Sequence, residues 1–262
     1  MSTIKRISLI GAGRVAHHLG TELHKHGAEI VSVYGRDPKE SEELAQKLGT
    51  NQSLSLDIKI NADLILIAVS DDAVAEVARG LPKGTDALVV HTSGAVPMTD
   101  LPDHLRRGVF YPLQSFSYDK QVRWENVPFC IEAENDEDVN ALGELAERIS
   151  RKVHLLSSEQ RKALHLAAVF ANNFSNLMFE YAEEILEKAE IDRSILHPLI
   201  VETSNKVLMQ PAAKAQTGPA KRGDTDTIKA HRLLMEEGSS LREVYDLLTA
   251  EIYKRSDHED EL

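Results

Sequence analysis

The apolar run at residues 4–10 feeds into Gly11-Ala12-Gly13-Arg14-Val15-Ala16. Small residues at that spacing suit one task, holding a pyrophosphate against the start of a helix. Gly11 permits a tight strand-to-helix turn, Gly13 lets backbone approach a phosphate, and Ala16 lets the helix lie close to the sheet. The amides of this turn, Arg14 and Val15 included, and the positive end of the helix would then hold the phosphates. The alternative is a purely structural turn. The next strand, residues 29–34, ends in Gly35-Arg36-Asp37-Pro38. A carboxylate at that position would bind the ribose hydroxyls of NAD, whereas an arginine suits the 2′-phosphate of NADP. Asp37 stands just before Pro38 and a helical run, so it reads as an N-cap. That leaves Arg36 for the phosphate and NADP as the expected cofactor, unless Arg36 is only a solvated charge.

Further along, Val69-Ser70-Asp71-Asp72 and His91-Thr92-Ser93-Gly94 each close a predicted strand. Val69, Ser70, Asp72 and Thr92 are placed near the cofactor, with Ser70 expected to cap the helix that follows. Ser93 and Gln114 are candidates for the substrate side, against the simpler reading of Ser93 as a turn-capping hydroxyl and Gln114 as part of a solvated loop. A reductase needs little from its protein beyond an oriented substrate and a proton source. His165 supplies an imidazole for the second role, and Asn172 and Asn173 supply amides for the first. On an α-helix His165, Asn172 and Asn176 share one stripe. Their structural alternative is a set of satisfied polar groups that hold helices in register.

The elements that must position these residues alternate. Helices are predicted at residues 14–26, 38–48 and 137–150. Strands are predicted at 63–69, 87–91, 108–111, 129–133 and 152–156. Alternation implies a doubly wound, mostly parallel α/β sheet, with all the named loops on its carboxyl rim. From residue 157 onward the pattern is helical only, with helices near 192–209, 224–237 and 239–254 and an acidic, frayed end at 257–262. The charge-free run 163–179 is apolar on almost every face, which predicts a helix buried all round and a partner subunit to cover the bundle. The expected organisation is a dinucleotide-binding domain at 1–156 and an all-α domain at 157–262 that supplies dimerisation and substrate contacts. The interruption Gln216–Asp224 either connects two helices, with Asp224 as the next cap, or presents Arg222 to an anionic substrate.

Composition narrows the rest. A net charge of −12 over 262 residues argues against nucleic acid. The single cysteine, Cys130, sits in an apolar run and reads as a buried thiol in a reducing cytoplasm. No apolar targeting core or membrane span is expected. His17, His18, His24 and His26 form no coherent ligand set, so no metal is expected. P-loop and Gly-x-Ser-x-Gly signatures are both missing.

Taken together, Gly11–Ala16, Ala68-Val69-Ser70-Asp71-Asp72, His91–Gly94, Pro112-Leu113-Gln114-Ser115-Phe116 and Thr217-Gly218-Pro219-Ala220 with Arg222-Gly223-Asp224 carry a resemblance covering nearly all of the chain. It resembles Rossmann-like NADP oxidoreductases that have a C-terminal helical domain of unknown function. These in turn are distant cousins of pyrroline-carboxylate reductase, prephenate dehydrogenase and the β-hydroxyacid dehydrogenases. The resemblance implies a dimer through the helical domain and an active site between domains. Two departures stand out: Tyr111 replaces the histidine usual before Pro-Leu-Gln, and no lysine lies between His165 and the asparagines. The expected function is an NADP-dependent oxidoreductase acting on a small anionic metabolite. The alternatives are a non-catalytic NADP-binding sensor or interaction protein, and, disfavoured by Arg36, a fold that binds S-adenosylmethionine.

Overall fold

The computed structural model describes residues 4–56 and 61–256; the acidic end expected to fray lies outside the described residues. Among the described residues seven strands, β1 (Arg6–Ile10), β2 (Glu29–Tyr34), β3 (Leu64–Ile67), β4 (Leu88–His91), β5 (Arg107–Pro112), β6 (Phe129–Ala133) and β7 (Val153–Leu155), form one sheet. Their order is β2-β1-β3-β4-β5-β6-β7. Every neighbouring pair is parallel except β5 and β6. β3 shows why the sheet needs cover on both faces. All of its residues are buried, and the pleat sends Leu64 and Leu66 into one core and Ile65 and Ile67 into the other.

Helices α1 (Arg14–Lys25), α2 (Pro38–Lys47), α3 (Val74–Arg79) and α4 (Asp136–Glu147) follow the strands. Asp37 caps α2 as expected, accepting from the amides of Lys39 and Glu40 with proline in the first turn. Asn135 caps α4 through the Asp138 amide. Ser70 does not cap with its side chain. Its hydroxyl pairs instead with the Asp72 carboxylate, which that bond holds below the usual carboxylate range.

The chain forms two compact units, Met1–Ala171 and Asn172–Leu262. Helix α5 (Ser158–Ala168) therefore belongs with the sheet, past the boundary expected after residue 156. Its first turn explains this, because Ser158 and Arg161 are both buried and bound to Glu132 of β6. Beyond α5 the chain passes through a π-helical segment, Val169–Phe174, into α6 (Ser175–Lys188). One expectation is corrected here. The stripe through His165, Asn172 and Asn176 assumed unbroken α-helical spacing, which a π-turn with its i→i+5 bonding interrupts. The run 163–179 is left uncovered by the described residues of its own chain, with Leu166 59 % and Phe170 63 % exposed, and this is the surface a partner subunit was expected to cover.

The second unit continues with α7 (His197–Met209), α8 (Ala212–Ala215), α9 (Thr225–Leu233) and α10 (Ser240–Ser256). Asp224 caps α9 by accepting from the Thr227 amide, as the connector reading of residues 216–224 requires. None of the described helices is long and apolar enough to cross a membrane.

Candidate active site

The parallel strands bring the loops after β1, β2, β3, β4 and β5 to one rim. Backbone bonds tie these loops together: Gly11 N donates to Tyr34 O at 2.7 Å, Ala68 N to Ile10 O at 2.7 Å and Thr92 N to Ile67 O at 3.1 Å. The turn at Gly11 has no room for a side chain. Its φ is +115°, and a Cβ would stand 2.2 Å from the Ala68 carbonyl oxygen. Gly13 is the opposite case, for a Cβ there would meet nothing within 4 Å. It opens α1, which has no side-chain cap and no acidic residue in its first turn. The first intrahelical bond is His17 N to Gly13 O, so the amides of Arg14, Val15 and Ala16 have no intrahelical acceptor. An uncapped helix start facing open space is the cradle a pyrophosphate fits.

Arg36 stands exposed just past β2, and its charge is felt at Asp72 across the rim, as the smallest of the effects that lower that carboxyl. Asp37, spent on capping α2, leaves Arg36 as the charge that fits a 2′-phosphate. Arg14 is also exposed, and its guanidinium reaches the Phe116 carbonyl at 3.5 Å. Val69 is half-buried, and Ser70 and Asp72 are exposed.

The sequence offers His17 and His18 no ligand spacing and no other role. They pin the loop after β5 to α1: His18 Nε2 lies 2.9 Å from Ser117 O, its ring stacks on Phe116, and His17 meets Tyr118 edge-on. Burial, then Lys47 and His18, hold His17 below the usual histidine range.

The strand-end polar groups divide into structural and free ones. His91 is fully buried, and its Nδ1 accepts from the Ser93 amide at 3.2 Å. Burial and then the Arg161 charge push its pKa down to about 3, so it is a neutral strut. Ser93 is buried as well. Its Oγ accepts from the amides of Ala95 and Val96, the turn-capping role, which leaves it poorly placed for a substrate. Thr92 is half-buried beside Ile67 O, and Gln114 is exposed with its amide oxygen turned back onto the Ser115 amide. Asn172 and Asn173 are exposed and belong to the other unit.

His165 is brought to the rim, through contacts the sequence reading did not foresee. Arg161, one turn earlier on α5, is buried and donates to the carbonyls of Ser93 and Val96 while pairing with Glu132. It therefore clamps α5 onto the 93–96 turn. His165 Nδ1 then lies 3.3 Å from the Tyr111 hydroxyl. β5 runs past the end of β4, which carries Tyr111 over that turn. Burial is the main reason that the phenol is pushed up to about 12, with Cys130 and Asp71 adding to the effect and Arg161 opposing it. Cys130 is buried as expected, and burial raises its thiol. A charged residue in the first turn of an apolar helix, four before a histidine, was the signal available for Arg161.

Comparison with known proteins bears on this site. Residues 6–94 match the family described as NADP oxidoreductase, coenzyme F420-dependent, and residues 127–252 match a domain of unknown function, DUF2520. A candidate NADP oxidoreductase from Bacteroides fragilis is 38 % identical, with 96 % of this chain and 98 % of that one covered and a TM-score of 0.87. An imine reductase from Myxococcus stipitatus, solved with NADP+, is 15 % identical at a TM-score of 0.72, over 97 % and 95 % of the two chains. A pyrroline-5-carboxylate reductase from Coxiella burnetii is 16 % identical at a TM-score of 0.58, over 98 % of each. These last two share the fold. The glutamyl-tRNA reductase of Sulfolobus acidocaldarius is 28 % identical over 102 residues, 37 % of this chain, which spans a quarter (25 %) of that relative's length.

Proposed function

Because the chain belongs to the oxidoreductase family of the Bacteroides fragilis protein, we propose that it reduces a C=O or C=N bond in a small metabolite with NADPH. The observation that carries this reading is the α1 start: uncapped, free of acidic residues and open at Gly13, with Arg36 on the same rim. In the proposed complex Gly11, Gly13, Arg14, Val15 and Ala16 hold the pyrophosphate, Arg36 holds the 2′-phosphate, and Val69, Ser70, Asp72 and Thr92 border the nicotinamide ribose. When bound, NADPH supplies a hydride; the chain's own task is to orient the substrate and deliver a proton. His165 is the candidate for the proton, and Gln114, Asn172 and Asn173 are candidates for orientation.

The sequence reading gives the substrate a negative charge. Asp71, exposed and acting on Tyr111, favours a substrate whose reacting nitrogen carries positive charge, so the screen spans oxo acids, imino acids and uncharged imines. The single buried thiol supports a reducing cytoplasm as the setting. The uncovered apolar helices of the second unit support a homodimer through the C-terminal helices.

Calorimetric titration with NADPH, NADH and S-adenosylmethionine tests the cofactor. NADPH is expected to bind most tightly. Arg36→Ala should weaken it by about 1.5–3 kcal/mol, the value of a charge-assisted hydrogen bond, while leaving NADH unchanged. Equal losses for both nucleotides would remove Arg36 from the 2′-phosphate. NADPH binding without turnover across the screen would make the protein a cofactor-binding sensor.

A further inference from the structure

Gly94 has an unusual reason to be glycine. Its backbone is not in the left-handed region, yet a Cβ would stand 2.6 Å from His165 Nδ1 and 2.8 Å from Tyr111 Cζ. Two ionisable side chains, from β5 and from α5, thus rest on the bare backbone of the turn that follows β4. Their rings meet edge-on, with centroids 6.3 Å apart at 70°, and their polar atoms are 3.3 Å apart. The parallel sheet puts the end of β4 on the same rim as the Gly11–Ala16 turn, where the hydride would be delivered.

We infer that Tyr111 and His165 form a proton-delivery pair in which the Tyr111 hydroxyl protonates the reduced substrate and His165 replenishes it. The inference rests on the reductase reading above and names a catalytic residue that reading lacks. Each partner is suited to one half of the task. The Tyr111 phenol is half-buried with His165 at its hydroxyl, and burial, Cys130 and Asp71 keep it protonated against the opposing charge of Arg161. It acts as an acid, and its hydroxyl can donate outward while accepting from His165 Nδ1. The far nitrogen of His165, Nε2, has no partner among the described residues and is not buried, so water reaches it. Arg161 holds the whole arrangement to the 93–96 turn.

The step balances. The incoming hydride pair forms the new C–H bond, and the π pair of C=O or of an uncharged C=N becomes a lone pair on the heteroatom, which is left anionic. That atom takes the Tyr111 proton as the O–H bond breaks; an imine nitrogen that already carries its proton needs no second one. The phenolate then takes the proton on His165 Nδ1, while solvent supplies one to the imidazole at Nε2.

Two measurements on three variants test this. In the cofactor-free protein, nuclear magnetic resonance of the His165 imidazole, assigned with His165→Gln, reads the pairing directly. Tyr111→Phe should change the imidazole's nitrogen chemical shifts and its tautomer balance by removing the 3.3 Å contact at Nδ1, and an unchanged spectrum would overturn the pair. In turnover, Tyr111→Phe should lower kcat by about a hundredfold or more, the usual contribution of a general acid, with NADPH affinity within about twofold of wild type. His165→Gln should give a smaller loss. Gly94→Ala, which touches neither side chain chemically, should reproduce the loss by displacing both. Wild-type rates in Tyr111→Phe would remove the dyad and leave the reductase reading standing. Absence of turnover in the unmodified protein, despite bound NADPH, would remove both.

Discussion

At the residue scale the two glycines of the nucleotide turn, identical in sequence terms, do different work. Gly11 is held by backbone: its φ is +115° and the Ala68 carbonyl occupies the space of a Cβ. Gly13 is held by nothing in the protein. Gly11→Ala should therefore lower the melting temperature markedly, because both the strained φ and the clash must be relieved. Gly13→Ala should melt with the wild type but lose most of its NADPH affinity, since the new methyl intrudes where the pyrophosphate passes. Thermal melts with and without NADPH distinguish them. A Gly13→Ala protein that still gains the full cofactor-dependent shift would mean that the turn holds no phosphate. The glycines, Arg36 and the Asp37 cap were legible from the sequence because each acts through its neighbours in the chain. Tyr111 was not, because its partner comes from a different element, and neither residue type nor spacing records that meeting.

At the element scale, α5 was expected to open the helical domain and instead belongs to the sheet unit. Strand positions were readable from apolar runs, with β2 and β6 found at the expected residues, since burial on both faces imposes a simple pattern. The attachment of α5 is a polar matter, and polar anchors leave no periodic trace. Arg161 is 1 % exposed and Glu132 is 15 % exposed at the side chain, so removing one partner strands a charge. Glu132→Ala should cost about 3–5 kcal/mol, whereas a loss below about 1 kcal/mol in urea unfolding would show the pair to be solvated. If α5 is released, His165 loses its register, so Glu132→Gln should lower kcat more than it raises KM. A merely structural weakening would leave the ratio of the two unchanged in the fraction still folded.

At the scale of the whole molecule, the second unit cannot be self-sufficient. Among its described residues only Ala220 is buried, and none of its α-helices has a buried residue. α7 shows how complete the deficit is. Leu199 and Val201 are 61 % and 58 % exposed, and residues two apart on an α-helix point to opposite sides, so a single neighbour cannot cover both. Exposed apolar surface on that scale marks an interface, and a second copy of the chain is the partner proposed. Light scattering should give twice the chain mass of 29.1 kDa, and the melting temperature should rise with protein concentration, as mass action requires of a stability shared between subunits. Leu199→Asp places a charge in that interface and should yield monomer or aggregate with the second unit's helicity reduced. The sheet unit's core, built from β1 to β7 and their helices, should persist, so NADPH binding at the α1 start should survive while turnover falls. A monodisperse wild-type monomer with a concentration-independent melt would refute the dimer and require another macromolecule to cover these helices.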